Sequence, residues 1–103
     1  MRERSVEIYL REQVRQAGGI AFKWVSPGNN GVPDRIVIMP GGRVVFVELK
    51  ATGRNPTQLQ QYQHERLRAL GCDVRVIDSR EGVDELMREM IVGATAANTN
   101  PNT

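Results

Sequence analysis

Apolar residues recur at helical spacing near the start of the chain, where Val6, Leu10, Val14 and Ala17 fall on one stripe. Gly18-Gly19 closes the pattern, so a helix is expected over residues 3–17. Ile20 to Val25 reads as a first strand, with Phe22 and Trp24 as core or packing residues. The run Ser26-Pro27-Gly28-Asn29-Asn30-Gly31-Val32 is a polar, glycine-rich loop leading into Pro33-Asp34. Arg35 to Met39, rich in β-branched residues and bounded by Pro33 and Pro40, is a short strand, and Arg43 to Lys50 is a longer one. Pro40-Gly41-Gly42 between them is a hairpin connection. Thr57 opens a second helix that Gly71 ends, with Leu59, Gln63, Leu67 and Leu70 as its expected inward stripe. Asp73 to Asp78 is a further strand, and Arg80 to Val92 a third helix with Val83, Leu86, Met87 and Met90 inward. From Gly93 to Thr103 periodicity is lost, and a disordered tail is expected. The order helix–three strands–helix–strand–helix makes an α/β fold, one domain over residues 1–92.

Composition narrows the classes without choosing among them. At 103 residues, 40% hydrophobic and 25% charged, the chain has room for one modest core. No apolar stretch approaches the about 18 residues of a membrane span. Met1-Arg2-Glu3-Arg4 leads into an amphipathic helix rather than an apolar signal core, so no export signal is expected. A single cysteine, Cys72, excludes an internal disulfide and suits a reducing cytoplasm; with His64 the only histidine, a zinc finger is excluded too. The net charge of +2 permits a nucleic-acid partner without requiring one. Basic residues are mostly arginine, which suits bidentate phosphate contacts and helix-surface solubility equally.

The chemistry lies on the hairpin. If Pro40, Gly41 and Gly42 all form the loop, Met39 faces Arg43 and Asp34 sits across from Glu48, with Cβ atoms about 4.5–5.5 Å apart. A two-residue Gly-Gly loop would shift the register by one, and both remain open at this stage. In the first register Glu48 and Lys50 share a face with Val44, Phe46, Ile36, Ile38 and Asp34. Two carboxylates held so close repel unless something positive sits between them. A hard divalent cation with oxygen ligands, Mg²⁺ or Mn²⁺, answers that need, and the Leu49 carbonyl is a further candidate ligand. Lys50 can then orient or help deprotonate an attacking water and stabilise a scissile phosphate. A plain salt-bridged hairpin face explains the same three residues.

Other candidates are weaker. Glu7 lies on the flank of the first helix's apolar stripe, where it can reach inward or pair with Arg11 at i+4; Glu3, one turn earlier, is its rival. Thr57-x-x-Gln60 has the form of a capping box, yet Gln60 also stands where it can face the hairpin. His64 is expected exposed or half-buried on the second helix, an ordinary histidine sooner than a catalytic base, with Tyr9 and Tyr62 off the core stripes and Cys72 as a small packing residue. The Gly28–Gly31 loop can approach a phosphate closely because its glycines carry no Cβ, although they also serve simply as turns. Lys23, Ser26, Asn29, Asn30, Arg35 and Arg54 are the candidate DNA contacts.

The set Glu7, Pro33-Asp34, Glu48-Leu49-Lys50 and Gln60, in this order of elements, resembles the PD-(D/E)XK nuclease superfamily. More narrowly it is similar to the stand-alone VRR-NUC domain proteins of bacteriophages and prophages. The likeness is carried by Lys23-Trp24-Val25-Ser26-Pro27-Gly28, Gly31-Val32-Pro33-Asp34-Arg35, Phe46-Val47-Glu48-Leu49-Lys50, and Leu59-Gln60 followed by Leu67 and Gly71, within residues 3–92. It implies a restriction-endonuclease-like core, a mixed central sheet flanked by helices. It further implies metal binding by Asp34, Glu48 and the Leu49 carbonyl, assistance from Glu7, a catalytic Lys50, and Gln60 in the family's glutamine position. A metal-dependent DNA endonuclease of a bacterial host cell's cytoplasm follows by analogy, a homodimer cutting branched DNA such as four-way (Holliday) junctions. The rival expectation is a DNA-binding module with this fold and no activity.

Overall fold

The computed structural model describes residues 1–98, with side chains through Ile91. In chain order the elements are α1 (Glu3–Gln16), β1 (Ile20–Lys23), β2 (Arg35–Met39), β3 (Arg43–Leu49), α2 (Gln58–Ala69), β4 (Val74–Ile77) and α3 (Arg80–Asn98). They build one four-stranded sheet in the order β1-β2-β3-β4. β1, β2 and β3 are antiparallel neighbours, and β4 joins β3 in parallel. The parallel pair needs a crossover, which α2 supplies. No helix among the described residues is long and apolar enough to cross a membrane.

Of the two hairpin registers, the longer loop is the one formed. Met39 lies opposite Arg43 and Ile36 opposite Phe46. Gly41 and Gly42 both hold positive φ, a conformation that L side chains avoid, and the Gly42 N–H donates to the Met39 carbonyl at 3.0 Å.

Alternation then sorts the side chains of the sheet. Val37, Met39, Val45, Val47, Leu49 and Ile77 face α1 and α3, where they close a core with Val6, Leu10, Val14, Val83, Leu86, Met87 and Met90. The Tyr9 hydroxyl donates to Asp84 Oδ1 at 2.6 Å, pinning α1 to α3, while the Arg80 guanidinium lies over the Tyr9 ring. Tyr9 is therefore a tie between helices rather than a free surface residue.

The opposite face of the sheet is only partly roofed, because α2 lies against the β4 side. This corrects several expectations. Phe22 is 54% exposed, since β1 is the far edge strand and no described element covers it; Trp24 is half-buried against the Phe46 ring. On α2, Leu59 is exposed and Leu70 is 82% exposed, and the buried residue is His64. The stripe facing the sheet runs through Gln60, Gln63, His64 and Leu67, one step around the helix from the expected one. β1 stops at Lys23, although Trp24 adds one more rung by donating to the Asp34 carbonyl. α3 continues past Val92 to Asn98, as suits the strong helix formers Ala94, Ala96 and Ala97. The tail expected from Gly93 is thus helical in its first part, and residues 99–103 lie outside the described residues.

Candidate active site

Asp34, in the bend just before β2, and Glu48, on β3, reach the same place. Asp34 Oδ1 accepts the Leu49 N–H at 3.2 Å, so its carboxylate lies against the end of β3. Glu48 is 3% exposed, a carboxylate almost wholly removed from water. Its Oε2 faces the Lys50 ammonium at 3.2 Å and accepts from Gln60 Nε2 at 3.3 Å. Gln60 serves two ends at once: its Oε1 accepts the Thr57 N–H at 2.9 Å, completing the capping box of α2, while its amide nitrogen holds Glu48. The structural and the site-facing readings of Gln60 are both realised.

The electrostatics follow from this crowding. Burial pushes the pKa of Asp34 above the usual carboxylate range, against the Leu49 N–H, Arg35 and Lys50, which pull it down. Burial does the same to Glu48, with Asp34 adding to the rise and Lys50 opposing it. The Glu3 charge on α1 adds a smaller upward push to both groups. Glu7 is held elsewhere: Oε1 lies 3.5 Å from Arg35 Nη2 and 3.4 Å from Arg11 Nη1.

His64 is the residue that sequence reasoning missed. It is 1% exposed, and Nε2 stands 3.9 Å from Glu48 Oε1. Burial lowers its pKa, as do the Arg68 and Lys50 charges, so the ring is neutral near pH 7 and the contact is not an ion pair. The available signal was its spacing: His64 lies four residues after Gln60, on the same helical face.

The candidate DNA contacts divide in two. Lys23, Asn29, Asn30 and Arg54 are exposed, and Ser26 is half-buried and accepts from Asn29 Nδ2 at 3.0 Å. Arg35 is turned inward, donating to the Asp34 carbonyl at 2.8 Å and pairing with Glu7. The Ser26–Gly31 loop is fixed to α2, since Gln63 Nε2 donates to the Asn30 carbonyl at 3.2 Å and Gly31 packs on Leu59. A Cβ at Gly31 would stand 2.9 Å from the Leu59 carbonyl oxygen, and φ there is +92°. Gly31→Ala is therefore expected to cost about 1–3 kcal/mol, read from urea denaturation. A loss under about 0.5 kcal/mol, the range of ordinary surface changes, would mean the loop is not seated on α2.

Among the described residues, no three His, Cys, Asp or Glu side chains are grouped to hold a metal. A cleft of about 420 Å³ lies beside α1 and one of about 290 Å³ beside β4; neither is lined by Asp34, Glu48, Lys50, Gln60 or His64.

No family model matches the chain. It is 53% identical over 81 residues to "Putative nuclease p44" of Acyrthosiphon pisum secondary endosymbiont phage 1, a match covering 79% of this chain and 87% of that protein. A solved structure described as "VRR_NUC domain" superposes with a TM-score of 0.79 at 37% identity, over 84% of this chain and 94% of the other. The mixed sheet and flanking helices expected from the motifs are the fold of that structure. The chain belongs to the VRR-NUC family.

Proposed function

We propose that this protein is a divalent-metal-dependent DNA endonuclease, selective for branched DNA such as four-way junctions and working as a homodimer. The observation that carries the reading is the meeting of Asp34, Glu48 and Lys50 on one face of the hairpin, two carboxylates with raised pKa values beside an ammonium. Structural similarity to a VRR_NUC domain and sequence similarity to a phage protein named as a nuclease support it.

The donor set suits Mg²⁺ or Mn²⁺. Such ions are held by one or two carboxylates, with waters and substrate phosphate completing the shell, so a third acidic side chain is not required. Asp34 and Glu48 are those ligands. The Leu49 carbonyl joins them, since a residue's N–H and C=O point the same way along an extended strand and the Leu49 N–H points at Asp34. Glu7 is the assisting carboxylate of α1, with Glu3, whose charge reaches both groups, as its rival. When bound, the ion supplies charge neutralisation at the phosphate and acidifies water.

The chain's own groups do the rest. Lys50 positions the attacking water and stabilises negative charge as the water oxygen bonds to phosphorus and the bond to the leaving oxygen breaks. Gln60 keeps the Glu48 carboxylate in place through Oε2. Lys23, Ser26, Asn29, Asn30 and Arg54 contact the DNA, and Arg35 acts by fixing the backbone of Asp34. Support for the dimer comes from the unroofed sheet face, where Ile20, Phe22 and Val44 are exposed apolar side chains that a second copy would cover.

The test offers purified protein a linear duplex, a flap, a splayed arm and a four-way junction, with Mg²⁺, Mn²⁺ or chelator. Paired nicks confined to the four-way species, absent in chelator, are the expected result. Cutting that persists in chelator would overturn metal dependence, and equal cutting of all four would overturn branch selectivity. Binding in chelator should also weaken steeply with salt, as phosphate contacts release counterions; a flat salt response would remove the backbone contacts assigned above.

A further inference from the structure

We propose that His64 is a positioning residue for Glu48, holding Oε1 through its Nε2–H so that the carboxylate meets the cation in one orientation. This rests on the metal-site reading above and extends it to a residue outside the acidic pair and its lysine. Glu48 Oε2 is held by Lys50 and Gln60, but Oε1 is buried and accepts from no described group. His64 Nε2 is likewise buried with no described partner, and it faces that same oxygen across 3.9 Å.

Buried polar atoms are paired almost without exception, and among the described side chains these two are the ones left facing each other. Closing the gap by about 1 Å brings them to hydrogen-bond length. The tautomer with its proton on Nδ1 would set two lone pairs against one another. The Nε2–H form makes a donor meet an acceptor, and the imidazolium would donate from the same atom. Carboxylates that ligate metals are themselves hydrogen-bonded, which fixes their direction. Gln60 and His64, one turn apart on α2, would then grip the two oxygens of Glu48 separately, and the helix sets the angle of the ligand.

Two measurements test this. His64 is the only histidine, so its ring ¹⁵N signals need no assignment. In metal-free protein Nε2 should carry the proton; a bare Nε2 with the proton on Nδ1 would overturn the proposal. Calorimetric titration with Mn²⁺, without DNA, then compares wild type with His64→Leu and His64→Gln. Removing the donor in His64→Leu should weaken Mn²⁺ by about 10-fold or more, and His64→Gln, which returns an N–H near the same point, should recover most of it. DNA binding in chelator should not change. Equal Mn²⁺ affinity in His64→Leu and wild type would overturn the positioning role alone, as would a glutamine variant as weak as the leucine one. Wild type that takes up no Mn²⁺ would overturn the metal-site reading and this proposal with it. Should His64→Leu fail to fold, the tautomer and the glutamine variant still decide.

Discussion

Asp34→Asn is expected to lower cleavage by about 10²–10³-fold while making the metal-free protein more stable at neutral pH. Both effects have one cause. Burial is the leading reason that Asp34 and Glu48 have raised pKa values, so the fold holds their protons more tightly than the unfolded chain does. A carboxylate of this kind gives the folded state its full stability below the unfolded pKa, at about 4. That stability declines as pH rises through the elevated folded values, because ionising the group is easier in the unfolded chain. Once both carboxylates ionise in the absence of metal they repel one another, relieved only in part by Lys50. Asparagine removes one charge and keeps an oxygen to accept the Leu49 N–H, so the gain should be about 1 kcal/mol, or about 4–8 °C in melting temperature. Melting curves in chelator at pH 4 and pH 7 would read it, with the wild type losing more between the two than the variant. The stabilisation that Mn²⁺ gives the wild type should vanish in the variant. A variant that melts below wild type at pH 7 in chelator, or cuts at the wild-type rate, would show that the carboxylates are not a coupled pair.

Leu49→Ala should cost about 2–5 kcal/mol, enough to threaten folding of a chain whose total is about 5–15 kcal/mol. Leu49 is buried in the layer between the sheet and the α1–α3 pair, while its backbone N–H donates to Asp34 Oδ1. The side chain is thus an anchor whose main chain carries the site. Leu49→Met, which keeps the volume, should cost less than about 1.5 kcal/mol and retain cleavage. Urea denaturation separates the two; an alanine variant within about 0.5 kcal/mol of wild type would mean that this core is not where β3 is held.

Much of this was legible because short-range rules governed it. The two prolines and the glycine pair bounded the hairpin, and the period of two along β3 put Glu48 and Lys50 on one face. Thr57 and Gln60 announced the start of α2 by their spacing. What the pattern misjudged was which face of α2 turns inward. Leucines at 59, 67 and 70 suggested an apolar stripe, but the roof over Glu48 is polar, and Gln60 and His64 occupy it while Leu59 and Leu70 stay in water. A helix that covers a charged site reverses the usual reading of its hydrophobic positions. Phe22 failed for a related reason: an apolar residue on an edge strand reads as core only if something lies over it. That Glu7 pairs with Arg35 was not legible from spacing either, because Arg35 reaches α1 from a strand remote in sequence.

The double duty of Gln60 has an evolutionary consequence. Because one amide closes the first turn of α2 and steadies the buried Glu48 carboxylate, pleiotropy constrains the position from two directions. Glutamate there would preserve the helix start but set a like charge beside Glu48, whereas alanine would forfeit both roles. A lineage that abandoned the chemistry would still need another way to begin the helix before it could lose the glutamine.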